Sequence, residues 1–431
     1  MKKKFICGIY AVFFAFLSAF SLFGCAKISR QEYKITENSF DQKTFPFIYI
    51  ETENNMDIVS KEEYISCSVS TSNTLQKYIL QNESAKIKGR GNSTWTFPKK
   101  PYKLKFNSKI DLLGNGKAKT WTLIANYCDK SLTRNLMAYE IARAIGLENT
   151  TSADPVNLIV NGVYYGVYLL CEQVEIGKTR VNIESDLSDI NTGYLIEMDA
   201  RAPEEGIENI DYFSIDGINY AVKDPETDDD DFSFQHMNFI KNYVTQSFNS
   251  LSADYETVSN NIDVESFAKC YIVHEMFNCI DVGFSSFYMY KIKGGKLYAG
   301  PVWDFDISSG NCNYIKNGNN NNYLYAKESN IWYKKLLQFD EFKSLVSEIL
   351  MEYKDTIKSK IEEVVNYQLE YKDNNNANFK VWHIMGIYVW PNPKEIVKIN
   401  NFVGQINYLE NWVKLKLSYM EDYFIEYVTV R

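Results

Sequence analysis

Two aspartates, Asp281 and Asp304, stand at the two ends of a stretch that reads as a β-hairpin. Ser286-Phe-Tyr-Met-Tyr-Lys-Ile292 has the aromatic content of a strand. Lys293-Gly-Gly-Lys296 carries the glycines of a tight turn. Leu297-Tyr-Ala-Gly-Pro-Val302 returns and runs into Trp303-Asp-Phe-Asp306. A hairpin closes its ends on one another, so two carboxylates distant in the chain arrive side by side. Acids paired in this way divide labour, one holding a divalent metal and the other steering a proton. That layout suits phosphoryl transfer. Asp306 offers a second metal ligand. Trp303 and Phe305 predict a buried setting, where a carboxylate needs a metal, a base or several N–H donors. The plainer reading makes Asp304 and Asp306 turn residues after a strand.

Further upstream lie groups suited to polyphosphate. Arg90-Gly-Asn-Ser93 joins a strand to a lysine-bearing strand, so Arg90, Asn92 and Ser93 can cradle phosphate while Gly91 lets the backbone approach. An ordinary turn reads the same way. In Pro101-Tyr-Lys-Leu-Lys-Phe106 the lysines share one face. Lys105, deeper in that strand than Lys103, is the candidate nucleotide lysine, against the alternative of a solvated strand face. Glu140, on the following helix, is a carboxylate that can hold this lysine, or simply an exposed helical acid. Glu172 ends the strand Val167-Tyr-Leu-Leu-Cys-Glu172, a connector that can offer backbone groups to a purine or be no more than a strand end.

These residues need a scaffold. Phe45–Ile50 reads as the first strand, with Tyr64–Val69 as its partner. A helix is expected over Asp129–Ile145, capped by Asp129 or Ser131 and closed by Gly146. Asn161-Gly162 between Val156–Val160 and Val163–Leu170 is a strong type I′ hairpin signal. Gly193–Met198 is another strand. Asp263 caps a helix whose apolar face, Val264, Phe267, Ala268, Tyr271 and Ile272, extends to Glu275, an acid that must find a partner. Asn313–Asn322 and Asp373–Asn378 read as asparagine-rich loops, Trp332–Tyr367 and Tyr408–Tyr423 as helices. The order is β-rich, then mixed, then helical: an α+β arrangement of two lobes, with a β-rich N-lobe at about 45–200, a helical C-lobe at about 200–425 and a cleft between them.

The 431-residue chain is 45% hydrophobic, enough for a substantial core, and its 15% aromatic content argues against disorder. Residues 1–24 read as a lipoprotein signal peptide, with basic Lys2, Lys3 and Lys4, an apolar run from Phe5 to Phe20, and the lipobox Leu22-Phe-Gly-Cys25. Cys25 is the expected lipidation site. Residues 25–44 are then expected to be a tether, with the body at the cell membrane, lipid-anchored on its extracellular face; the plainer alternative is an uncleaved N-terminal anchor with a chance cysteine. The formal charge of −9 becomes −12 once the three lysines of the signal are gone. This argues against nucleic-acid binding and favours basic protein partners and divalent cations. Six cysteines lie beyond Cys25, none in a CxxC pair, and with three histidines they make a zinc site unexpected.

Taken in order, several of these motifs resemble the CotH family of spore-coat atypical protein kinases. The matching text is Arg90-Gly-Asn-Ser-Thr-Trp95, Pro98-Lys-Lys-Pro-Tyr-Lys-Leu-Lys-Phe106, Trp121-Thr-Leu-Ile-Ala-Asn-Tyr127, Asp129-Lys-Ser-Leu-Thr-Arg-Asn135, Asn161-Gly-Val-Tyr-Tyr-Gly-Val-Tyr-Leu-Leu170 and Gly300-Pro-Val-Trp-Asp-Phe-Asp306. The likeness covers about residues 45 to 310 well and the helical tail loosely. It implies a protein-kinase-like two-lobed fold over about 45–425, ATP and Mg²⁺ or Mn²⁺ as cofactors, and transfer of the γ-phosphate to Ser or Thr of a protein substrate. By position, Asp281 matches the catalytic Asp, Asp304 the metal-binding Asp, and Lys105 the nucleotide lysine. The chain departs from ordinary kinases in three places. Asn278-Cys-Ile-Asp281 carries no His-Arg-Asp triplet, Asp306 replaces the glycine after Asp-Phe, and Ser286 stands where kinases place a metal-binding Asn. Two other classes fit the same text: a non-catalytic, pseudokinase-like surface module binding protein or glycan, and a metal-dependent phosphohydrolase.

Overall fold

The computed structural model describes residues 35–36, 39–40 and 43–427. The signal peptide, Cys25 and most of the tether lie outside the described residues. Among the described residues, no helix is long and apolar enough to cross a membrane.

Strands β1 (Phe47–Thr52), β2 (Ile65–Ser72), β3 (Glu83–Gly89), β4 (Tyr102–Asp111), β5 (Lys117–Ile124), β6 (Ala153–Val160) and β7 (Val163–Glu172) close into a barrel of order β1-β2-β3-β4-β5-β7-β6. The alternation read in β4 is the reason: Tyr102, Leu104 and Phe106 point inward and are buried, while Lys103 and Lys105 point out. Trp121, Leu123, Val156, Leu158 and Leu170 complete that interior. The seam is the parallel pairing of β1 with β6, in which Phe47 faces Asn157. The β6–β7 turn is the expected one, with Asn161 at φ 50° and Gly162 at φ 73°.

Strands β8 (Tyr194–Met198), β9 (Tyr212–Ile215), β10 (Ile218–Asp224), β11 (Phe287–Lys291) and β12 (Leu297–Ala299) form a second, antiparallel sheet of order β12-β11-β8-β10-β9. The hairpin expected between Asp281 and Asp304 is β11–β12. The boundary between the parts differs from the sequence reading. Tyr194–Met198 belongs with this second sheet rather than with the barrel, because its partners β10 and β11 come later in the chain.

Helices α1 (Arg134–Ala144), α2 (Ala202–Glu205), α3 (Phe234–Ser250), α4 (Tyr255–Asn261) and α5 (Val264–Met276) precede the hairpin. After it come α6 (Tyr325–Ser329), α7 (Ile331–Leu336), α8 (Asp340–Glu370), α9 (Lys372–Val381), α10 (Lys394–Lys398) and α11 (Phe402–Phe424). The result is a mixed α+β protein with a closed barrel in its N-terminal part and a helical C-terminal part. Helix α1 begins later than expected, at Arg134 rather than Asp129. Asp129 instead folds the preceding turn, accepting from the N–H groups of Ser131, Thr133 and Arg134 while the Arg134 guanidinium pairs with it. Asp373–Asn378, expected as a loop, is part of α9. Two of its asparagines, Asn374 and Asn378, face the barrel and are used as bonding groups. Asn374 Oδ1 accepts from Thr44 Oγ1, Phe45 N and Asn157 Nδ2, and Asn378 Oδ1 accepts from Lys99 Nζ and Val167 N. These tertiary bonds outweigh a weak helix propensity.

Asp263 caps α5 as expected, accepting from Ser266 N at 2.8 Å. Glu275 continues that buried face and has the partner it required. Its Oε1 accepts from Lys416 Nζ on α11 at 2.7 Å and from Tyr325 N at 2.7 Å, and its Oε2 from Lys327 N at 3.0 Å. Both side chains of the Glu275–Lys416 pair have no exposed surface. Lys416→Met is therefore expected to destabilise the protein by about 3–5 kcal/mol, because it leaves a buried carboxylate without its cation. Urea unfolding measures this, and the double change Glu275→Gln/Lys416→Met is expected to recover most of the loss.

Candidate active site

Asp281 sits in a single 3₁₀ turn, Ile280–Gly283, that follows α5. Asp304 follows β12 by five residues and has φ 68°, a left-handed backbone that a non-glycine residue rarely adopts. Strain of this kind persists only where neighbours over-determine it. Here Phe305 N donates to Asn135 Oδ1 at 2.8 Å, and Phe305 packs edge-on to Tyr139 and Phe277 and stacks on His274. The Arg134 guanidinium donates to the carbonyls of Ser308 and Ser309. Helix α1 thus grips both ends of the Asp304–Ser309 turn.

The three acids come together. Burial, with the Asp304 and Asp199 charges behind it and Arg201 opposing, pushes the Asp281 carboxyl up to about 7. Burial raises Asp304 as well, with Arg90, Arg201 and a hydrogen bond from Ser286 acting against the rise. Asp306 is raised well above its ordinary range, by burial and then by the charge of Asp304; a hydrogen bond from Cys128 Sγ at 3.3 Å to its Oδ2 works the other way. Asp281 and Asp304 each keep part of their surface open, while Asp306 is buried behind them.

Two arginines flank this cluster from opposite parts of the chain. Arg90, in the turn after β3, lays its guanidinium 5.7 Å from the ring of Trp303. Arg201, after β8, donates from Nη2 to Ser285 Oγ at 3.0 Å and has Nε 3.7 Å from Asp199 Oδ1. Its Nε has no hydrogen-bond partner. Arg201 and Asp199 were not singled out in the sequence. An acid and an arginine directly after a strand end was the available signal.

Other expected residues lie elsewhere. Lys105 is exposed on the outer wall of the barrel, where it borders a small cavity with Tyr64, Lys86, Phe106, Asn107 and Lys119. Lys103, on the same face, is more buried and lies near Glu175, which favours its charge, and near Lys88 and Arg90, which repel it. Glu140 does not hold Lys105; it pairs with Arg143 and has Lys360 at 4.0 Å. The reason is that β4 and α1 present these side chains to different surroundings. Glu172 is buried against Arg180, 3.0 Å away, and accepts from Ser152 N at 2.8 Å, so its carboxylate ties β7 in place. Burial raises it to about 7. Asn92 and Ser93 are exposed at the outside of the Arg90 turn.

Among the described residues, no group of three or more His, Cys, Asp and Glu side chains is set in metal-binding geometry. The donor set nevertheless suits a hard cation. Asp304 raises the proton affinity of Asp281, both raise that of Asp306, and oxygen-only donors are what Mg²⁺ and Mn²⁺ take.

The raised carboxyls give a signed prediction. In the unfolded chain they ionise near pH ~4. In the fold they still hold protons above that, so the folded state binds more protons and stability falls as pH rises from about 4 through about 7. Asp306→Asn removes one of these groups. Its melting temperature in EDTA is expected to equal the parent's near pH 4 and exceed it by several degrees at pH 8. A constant gap across that range would show that Asp306 is not held protonated.

A closed barrel, a second sheet and a helical part make a mixed α+β protein in which three carboxylates and two arginines converge. The family model described as CotH kinase protein matches residues 87–420, and the chain belongs to that family. No curated protein matches it. The match extends through α11 nearly to its end, so the helical tail is part of the family region and not a loose appendage. It starts inside β3, although β1 and β2 are needed to close the barrel.

Proposed function

We propose that this chain is a surface-tethered, kinase-like phosphotransferase that moves the γ-phosphate of ATP to Ser or Thr of a protein. The observation that carries the reading is the convergence of Asp281, Asp304 and Asp306 with Arg90 and Arg201 in one half-open site. In this reading the barrel and the helical part are the two lobes, and the nucleotide lies between them. Asp304, with Asp306 behind it, is the pair that would hold Mg²⁺ or Mn²⁺, whose charge offsets that of the phosphates. Arg90 and Arg201 orient the polyphosphate from its two sides, which suits a transfer governed by positioning and charge.

Asp281 accepts the proton of the acceptor hydroxyl as the new O–P bond forms and the bond from the γ-phosphorus to ADP breaks. Arg201 opposes the burial that raises Asp281, which helps keep its basic form available near neutral pH. The acidic body of the chain favours a basic acceptor. The lipobox-like run ending at Cys25 supports putting this activity on the outer face of the cell membrane.

The geometry favours Arg90 over Lys105 as a phosphate ligand. Arg90→Ala is expected to weaken Mn²⁺-dependent nucleotide binding by on the order of tenfold, the loss of one charge-assisted contact. Lys105→Ala should leave it unchanged. Calorimetric titration with a non-hydrolysable ATP analogue checks both. The function itself is tested by incubating residues 26–431 with labelled ATP, Mn²⁺ and basic Ser-rich peptides. Label on the peptide is expected. Release of free phosphate without peptide label would mark a phosphohydrolase. No melting-temperature response to Mn²⁺ and nucleotide would leave the non-catalytic surface module as the better reading.

A further inference from the structure

Strand β8 carries a buried acid whose position sheet formation does not explain. Glu197 is 5% exposed and stands opposite Tyr288 in the β8–β11 ladder. That ladder already runs from Phe287↔Met198 to Lys291↔Tyr194 through main-chain pairing, so no carboxylate is needed to set its register. A buried carboxylate carries a desolvation cost and must be bonded. Glu197 spends its two oxygens differently. One lies 3.3 Å from Lys223 Nζ, on the neighbouring β10. The other, Oε1, accepts from the backbone N–H of Ser286 at 2.9 Å.

Ser286 is the point of interest. Its backbone is left-handed, at φ 61°, and its hydroxyl donates to Asp304 Oδ2 at 3.5 Å. Asp304 is itself left-handed, at φ 68°. Two strained residues, one at each base of the β11–β12 hairpin, therefore meet side by side. Ser285, next along, has its hydroxyl bound by Arg201 Nη2 at 3.0 Å. The end of β8 thus grips both serines that lead from Asp281 into the hairpin.

We propose that Glu197 is a positioning residue for Asp304, acting through Ser286. The buried carboxylate holds the Ser286 N–H, which keeps Ser286 in its strained conformation, which aims the hydroxyl at the Asp304 carboxylate. Asn135, bonded to Phe305 N, steadies the other side of the same aspartate. The orientation of the cation-holding oxygen is then set from a strand that never touches the substrate. This inference rests on the proposed role of Asp304.

The test reads binding and folding, not turnover. Mn²⁺ is titrated at a fixed concentration of a non-hydrolysable ATP analogue, followed by calorimetry, with melting temperatures taken in EDTA. Glu197→Ala and Ser286→Gly are each expected to raise the Mn²⁺ requirement about tenfold, as losses behind a metal ligand do. Glu197→Gln keeps an acceptor for the Ser286 N–H and is expected to restore most of the affinity. The double variant Glu197→Ala/Ser286→Gly should be no worse than either single change, since one path is broken once. Additive losses in the double variant would overturn the inference. So would a Glu197→Ala protein that melts earlier but needs no more Mn²⁺ than the parent. Should Glu197→Ala fail to fold, an unchanged Mn²⁺ requirement in Ser286→Gly overturns it equally. A parent chain that binds no Mn²⁺ with the analogue overturns the proposed function, and the inference falls with it.

Discussion

Asp281→Asn is expected to lower phosphoryl transfer by about 10²–10⁴-fold, the usual contribution of a positioned general base. The amide keeps the size of the side chain and removes only its ability to take a proton. Nucleotide binding should survive, because in this reading Arg90, Arg201 and Asp304 hold the nucleotide while Asp281 faces the acceptor. The same change removes a carboxyl that burial and then the Asp304 charge have pushed up to about 7. The variant should therefore melt higher than the parent at pH 8 in EDTA, even though it is inactive. Lost activity together with gained stability is the pattern of a group held for chemistry and not for packing. An Asp281→Asn protein that labels substrate at the parental rate would remove Asp281 from the mechanism.

Asp304→Asn has the second large effect, and it falls on a different quantity. Mn²⁺-dependent nucleotide binding is expected to weaken by more than about a hundredfold, beyond the 10- to 100-fold typical of losing a group behind a metal ligand. Calorimetry measures this without reference to turnover. The charge of Asp304 is also one of the causes that raise Asp281. Taking it away should let the Asp281 carboxyl fall below about 7, which can be followed by carboxyl NMR in the metal-free protein. If Asp304→Asn binds the nucleotide as the parent does and leaves the titration of Asp281 in place, the two acids do not share a site.

These two variants separate the acids by function because their surroundings differ. Asp281 has a backbone turn of its own and one arginine opposing its rise. Asp304 has two arginines, a serine hydroxyl and a left-handed backbone. Asp306 accepts a hydrogen bond from Cys128 and is itself buried.

Much of this was legible in the chain. The Asn161-Gly162 turn has a local cause, and the structure shows both residues at positive φ. The periodic face of α5 implied a buried Glu275 that needed a partner, and Lys416 is that partner. The glycine turn between two strands joined Asp281 to Asp304. Other features were not legible. The start of α1 moved because Asp129 spends its carboxylate on Arg134 and on several N–H groups ahead of the helix. Asp373–Asn378 looked like a loop because asparagine is a poor helix former, yet Thr44, Phe45, Asn157 and Lys99, all distant in sequence, supply the bonds that hold it in α9. Lys105 looked better placed than Lys103 along the strand, but depth along a strand says nothing about what covers its outer face.

The chain alone determined its periodicities, its turns, the acids that belong to one hairpin and the family motifs around them, since all of these depend on neighbours a few residues away. Tertiary structure decided which charges face those acids. Arg90 comes from the turn after a barrel strand and Arg201 from just past the end of a strand of the second sheet, and only tertiary packing brings them to the same aspartate. Coulomb energy and desolvation depend on distance and burial in space, and no local pattern encodes either.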